Sequence, residues 1–379
     1  MSVNYNSMIA VNNVYKLFFS LFCFSLLCRD ILGALGQPVL LYLSLLFLIP
    51  LILLIVEFVE KRRMTLGLFM LLLISLFYIL ISTYNVNGIK LFIPMIYAGI
   101  AFRKMDFKYI VKYFLLIQIV CFSFRYWLIV SGLISENEVD TIWKTEDGRL
   151  AHDLGYGNSN AAGIALFYLL CAFYLLMYNK NKLISFIIIL ISASLFYNYT
   201  VSRTALISTI LLLITYLVPP KYNSVFRNKY ILWLAPIVVI SPLILLNYLL
   251  GISGLDQLLS GRLYYISYLL NLFDDPMSLI TGIEIDEDNS FAIDNVFSYM
   301  LVNGGVLAII IFFWFYRSFI LSVNYVPVYI VAVILIMVMS GLGEASWAAF
   351  GRLGSSFFWI ILLNRSYIKN NVGQIKAVN

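Results

Sequence analysis

The chain has 379 residues, of which 62% are hydrophobic, 16% aromatic and only 12% charged, with a formal net charge of +6. Soluble globular domains carry roughly 25% charged residues, so half that supply cannot cover a water-exposed surface, and a soluble fold is excluded. The four cysteines, Cys23, Cys28, Cys121 and Cys171, lie in apolar segments; their spacing suits neither a zinc site nor a disulfide framework, and they read as small hydrophobes.

A membrane-spanning helix needs about 20 mostly apolar residues, because each adds about 1.5 Å across a core roughly 30 Å thick. In chain order the candidate spans lie near 14–29, 38–58, 64–83, 89–102, 109–132, 158–178, 183–200, 203–218, 230–250, 293–317, 325–343 and 346–363. The fourth is short and carries Pro94, which suggests a half-helix. The first apolar run, Val14 to Cys28, has no small-residue cleavage site and reads as a span rather than a leader. The expected class is an all-α polytopic membrane protein of about 12 transmembrane helices, forming a single transmembrane domain over 1–379.

Basic residues concentrate in cytoplasmic loops, which tests this division. With the N-terminus inside and alternating sides, 17 of the 25 basic residues fall inside, whereas 16 of the 19 acidic ones fall outside. The even span count places both termini in the cytoplasm. Two outer loops are long, about 133–157 and about 251–292. In the second, Leu255, Leu258, Leu259, Leu263, Ile266 and Leu270 recur at helical spacing, the pattern of a helix lying on the membrane surface.

Charged groups near hydrocarbon are costly and mark function when present. The outer basic residues are Arg29, Lys90, Arg125, Lys144, Arg149, Arg203, Arg262 and Arg352, six of them arginine. Guanidinium offers a planar fork of donors that grips phosphate oxygens in pairs; the competing reading is that these arginines pair with outer acids and hold loops. Arg203 stands at the outer start of a span, where free backbone N–H groups favour an anion. Arg149 precedes a span that opens with Asn158 and Asn160. Asp294 and Asn295 stand where the second loop enters a span; Asp294 suits either a general base or a helix cap. His152, the single histidine, follows Arg149 in a polar loop, where it contacts substrate or is merely solvated. The acids Asp274, Asp275, Asp286, Glu287 and Asp288 could ligate a divalent cation, but a solvated face explains them better, and no metal or cofactor is expected. Glu344 reads as an ion-pair partner for Arg352.

Four motifs follow one another in the second half of the chain: GNSNAAG leading a span, SRTAL opening another, GR…P…G in the large outer loop, and DN…NGG entering the next span. Together they resemble the O-antigen polymerase and ligase superfamily of bacterial envelope glycosyltransferases. The resemblance implies an inverting, GT-C-like enzyme with two larger periplasmic loops. Its substrates would be undecaprenyl-diphosphate-linked repeat units and the growing glycan, at the periplasmic face of the inner membrane. It implies that Arg203 and Arg262 bind the diphosphate, with Arg149 beside them; Asp294 is the candidate base from its position alone. His152, Asn160, Asn295 and Arg352 are further candidates for substrate contact. Ligases carry His-Asn where this chain has Asp294-Asn295, which favours a polymerase. Membrane lipids, a chain-length regulator and a flippase are the expected companions, and nucleic acid is not. An O-antigen ligase and a transporter or flippase for lipid-linked oligosaccharides are the alternatives.

Overall fold

The computed structural model describes residues 5–61, 72–73, 92–136, 138–140, 150–219, 222–252, 254–258, 262–273, 275–283, 294–345, 347–349 and 351–366. The principal helices are α1 (Tyr5–Ala34), α2 (Leu40–Lys61), α3 (Ile93–Ala101), α4 (Phe107–Val130), α5 (Ser159–Met177), α6 (Lys182–Thr200) and α7 (Arg203–Leu217). They continue with α8 (Asn223–Arg227), α9 (Lys229–Ile244), α10 (Leu246–Leu250), α11 (Leu255–Leu258), α12 (Arg262–Leu270), α13 (Pro276–Thr281), α14 (Val296–Ser322), α15 (Val328–Ser340) and α16 (Leu353–Leu363). A short antiparallel ribbon, β1 (Glu138–Asp140) against β2 (Leu150–His152), crosses the first long loop.

Six of the described helical stretches are long and apolar enough to cross a membrane: Asn13–Ala34, Leu40–Val59, Phe107–Val130, Ser159–Met177, Lys182–Thr200 and Val296–Tyr325. Four more apolar helices, α7, α9, α15 and α16, are shorter. The protein is therefore an all-α, membrane-type bundle. The expected span at 64–83 lies almost wholly outside the described residues. The expected half-helix is present as α3, nine residues long with Pro94 in its first turn, where proline's missing N–H is no loss. The expected span at 230–250 is shorter than its apolar run, because α9 ends at Ile244 and a separate turn of helix follows. Helices α11 and α12 fall within the expected surface helix, with 259–261 between them outside the described residues; Leu263 and Ile266 are buried against Leu246.

Sequence sets these elements through caps and small residues. Asp106, Asn158, Ser202, Asn228 and Asn295 each accept a backbone N–H from the first turn they precede, satisfying donors with no helical partner. Between helices in lipid the hydrophobic effect gives little, and close approach of small residues does more. A side chain at Gly163 of α5 would come within 2.7 Å of Ser202 Oγ, and one at Gly354 of α16 within 2.5 Å of the Tyr168 ring. Helix α16 carries no charge and is buried from Ser355 through Leu363; it packs on α3, α4, α5, α14 and α15 at the centre of the bundle.

Helix α14 is broken. Gly305 adopts φ 64° and ψ −167°, a region open essentially to glycine. The backbone of Ile280 and Thr281 occupies the space a Cβ there would need, and Ile283 N–H donates to Val302 O at 2.7 Å. Asn303, Gly304 and Gly305 thus form the seat on which the end of the second long loop docks.

The two ends of the bundle differ. At one, Glu57 pairs with Arg103 at 2.9 Å and with Lys104, and Arg365 bonds Ser322 and Ser318. At the other, contacts run unbroken from α5 to α14: Gly163 meets Ser202, Gly343 meets Thr204, Val296 N–H donates to Gly341 O, and Asn295 Nδ2 donates to Val239 O. This second end carries the two long loops.

Candidate functional site

At this loop-bearing end, α1, α4, α5 and α16 close around a cavity of about 630 Å³. The spacing within each helix explains which side chains meet. On α4, Gln118, Phe122 and Arg125 fall at i, i+4 and i+7 and share one face. On α5, Ala161, Ile164, Ala165 and Tyr168 do the same. Helix α1 contributes Arg29, Asp30 and Gly33, and the start of α16 contributes Arg352, Leu353 and Gly354. Gln118 lies seven residues before Arg125, about 10 Å along the axis at 1.5 Å per residue, so the cavity reaches well into the bundle.

Arg125 is fully engaged. Its Nε donates to Asp30 Oδ2 at 2.9 Å, its Nη2 to Asp30 O at 3.0 Å, and its Nη1 to Gly155 O. Its guanidinium also lies 3.9 Å above the Tyr156 ring. Burial pushes the Tyr156 phenol well above its ordinary range, so the ring stays neutral. Asp153, fully buried, takes the Gly155 N–H at 2.9 Å. These contacts fasten the turn 153–157 over the cavity.

Arg29 and Arg352 are differently placed. Both line the cavity, and neither makes a side-chain hydrogen bond or ion pair among the described residues. The Nε of Arg29 is shielded from solvent without a partner, and so is Oε1 of Gln118, whose side chain is 2% exposed. Arg352 and Arg125 are both within electrostatic reach of Arg29, and Arg29 and Arg352 both act on Tyr299, one turn into α14. The expected Arg352–Glu344 ion pair does not form; Arg352 serves the cavity instead.

The residues nominated from sequence fall around this centre. Arg262, at the start of α12, donates from Nε to Asp294 Oδ2 at 2.9 Å, both side chains being about a quarter to a fifth exposed, at 24% and 20%. The sequence reading gave these two groups separate tasks, and the fold brings them into one ion pair. The cap of α14 is Asn295, not Asp294: Asn295 Oδ1 accepts from Phe297 N and Ser298 N at 2.9 and 3.1 Å. Arg203 opens α7 beside its cap Ser202, with its side chain exposed. Asn160 donates its backbone N–H to the cap Asn158 at 2.8 Å. His152 stacks on Tyr199 at 4.1 Å, and its Nδ1 lies 3.4 Å from Glu136 Oε2, which also receives the Tyr199 hydroxyl. Arg149 lies outside the described residues, as do Asp274 and 286–288; Asp275 caps α13 through Ser278 N. No group of three acidic, histidine or cysteine side chains suited to a metal occurs among the described residues.

Sequence reasoning named Arg29, Arg125 and Arg352 as misplaced cations but did not join them, and it missed Gln118 and Tyr168. The available signal was an amide inside an apolar run, YFLLIQIVCF, at seven-residue spacing from Arg125. Comparison of the chain with protein-family models, with curated proteins and with solved structures finds no match.

Proposed function

We propose that this protein is a glycan polymerase of the bacterial inner membrane, acting on undecaprenyl-diphosphate-linked repeat units at the periplasmic face. The reading is supported by one observation above all: an apolar bundle keeps three arginines on a single deep cavity at its loop-bearing end. Guanidinium in such surroundings is costly without an anionic purpose. The four ordered motifs resembling the polymerase and ligase superfamily supply the identity of the anion's carrier.

In this reaction an acceptor hydroxyl of a new repeat unit attacks the anomeric carbon of the growing glycan. The bond from that carbon to the lipid diphosphate breaks, and the diphosphate leaves with the electron pair. A carboxylate takes the hydroxyl proton, and Asp294 keeps that role in the proposal. Arg262 Nε donates to its Oδ2 at 2.9 Å and fixes its orientation. Arginines neutralise the charge growing on the departing diphosphate. The bundle's further task is orientation, since two lipid-borne reactants held in one cleft no longer depend on diffusive encounter.

Surface polysaccharide from a deletion strain tests this on one gel. Loss of a polymerase leaves a single repeat on the lipid core, whereas loss of a ligase leaves bare core and lipid-linked polymer; the second pattern would refute the proposal. A transporter reading draws support from the break in α14 at Gly305, because transporters build their sites on interrupted helices. Reconstituted vesicles separate the two: lipid translocation without elongation would favour transport.

A further inference from the structure

We propose that Arg29 and Arg352 are the two arms of an oxyanion site, with Gln118 Oε1 placed to accept from a hydroxyl or water beside it, and that the site takes a phosphate or diphosphate group. Only the identity of the molecule carrying that group rests on the polymerase reading. The site is distinct from the Arg203 and Arg262 positions that the family resemblance nominates.

Three observations converge on it. The first is an excess of positive charge among the described residues. Arg29, Arg125 and Arg352 share the cavity with Asp30 and Asp153; Asp30 is committed to Arg125, and Asp153 takes a backbone N–H in the turn above. Arg29, half-buried, and Arg352, exposed, are therefore like charges within electrostatic reach of each other at one cavity, an arrangement that an anion between them relieves. The second is the state of the polar atoms. Arg29 Nε, a donor, is buried with no partner among the described residues, whereas buried polar groups are nearly always bonded; Gln118 Oε1, an acceptor in the same state, calls for a hydroxyl or water beside the anion. A water can satisfy Gln118, but only an anion both bonds Arg29 Nε and offsets the two guanidinium charges. The third is direction: the first turns of α5 and α16 both open onto the cavity at Ala161 and at Leu353–Gly354, and helix N-termini favour negative charge. The Arg352 side chain does not cap α16, which leaves it available to a ligand.

Arg125 is a positioning residue. Its donors are spent on Asp30 and Gly155, so it holds the turn 153–157 as a roof and does not grip the anion. The volume, about 630 Å³, accommodates a diphosphate with one attached sugar and falls in the range of small-molecule sites.

Binding to the purified full-length protein in detergent tests the proposal. The probes are inorganic diphosphate and farnesyl diphosphate, titrated by calorimetry, with the thermal midpoint recorded to verify folding. Wild type should bind both. Arg29→Gln and Arg352→Gln should each weaken binding about ten- to hundredfold, the loss expected for a charge-assisted pair; Lys182→Gln, at the opposite end, should not. Should Arg29→Gln fail to fold, Arg352→Gln and Arg29→Lys carry the test, the latter keeping the charge but not the fork. Tighter binding of farnesyl diphosphate identifies a lipid-borne anion, and equal binding a free one. Failure of wild type to bind either probe, or undiminished binding by both glutamine variants, overturns the proposal. Binding that depends on these arginines in a protein that elongates no glycan would sink the polymerase reading alone. Elongation that survives both substitutions would sink the site alone.

Discussion

Arg125 and Arg29 each stand five residues before the last residue of their helices and carry the same charge, yet the fold uses them oppositely. Each guanidinium nitrogen of Arg125 donates to Asp30 or Gly155, and the group lies over the Tyr156 ring, while Arg29 has no such set among the described residues. Buried ion pairs add little net stability when intact, but removing one partner strands a buried charge. Arg125→Ala should therefore lower the unfolding free energy by about 3–5 kcal/mol, read as a fall in thermal midpoint in detergent. The double substitution Arg125→Ala with Asp30→Asn should recover part of that fall. Arg29→Gln should leave the midpoint unchanged or raise it, because it removes a charge that repels Arg352. Sequence exposed both arginines as anomalies against the inside-positive pattern, but which one was spent and which was spare depended on a contact across 95 residues, between Asp30 and Arg125. No local pattern carries that.

Among the elements, α14 best separates what a sequence discloses from what packing decides. Its apolar content marks a span and its cap is written in Asn295, although the acid before it competed for the same role. The break at Gly305 was hidden, because Asn-Gly-Gly inside an apolar run is compatible with a continuous helix that is merely weakened. What interrupts it is the backbone of Ile280 and Thr281 arriving from the second long loop. Gly305→Ala would put a methyl group into that backbone and force a glycine-only conformation. It should release the segment 275–283 from α14, making it newly sensitive to limited proteolysis, while the thermal midpoint of the remaining bundle moves by only a few degrees. Unaltered cleavage in the variant would show that the docking is not held by Gly305. Helix α16 illustrates the opposite case: its eleven residues contain no charge, and an element apolar on every side belongs in the interior, where it lies.

For the whole molecule, composition and the ends of the helices determined most of what could be read. An apolar, all-α bundle with charges gathered at two ends follows from the distribution of lysine, arginine and the acids. The polar cavity did not, since it is assembled from α1, α4, α5 and α16, elements separated by more than 300 residues. The long loops were legible as loops, but their ribbon and short helices depend on partners elsewhere in the chain. The four motifs of the family resemblance lie mostly around the cavity rather than in its wall: Asn158 and Ser202 as caps, Arg262 as the clasp on Asp294, Asn303 to Gly305 as a docking seat. Their order along the chain thus reflects a scaffold that shapes one end of the bundle.

In the proposed function, this end elongates a lipid-linked glycan by means of its unspent arginines. Purified protein in liposomes, supplied with undecaprenyl-diphosphate-linked repeat units, should build chains longer than one repeat, and Arg352→Gln, with its fold intact, should build none. Chains of wild-type length from Arg352→Gln and Arg29→Gln alike would contradict the account.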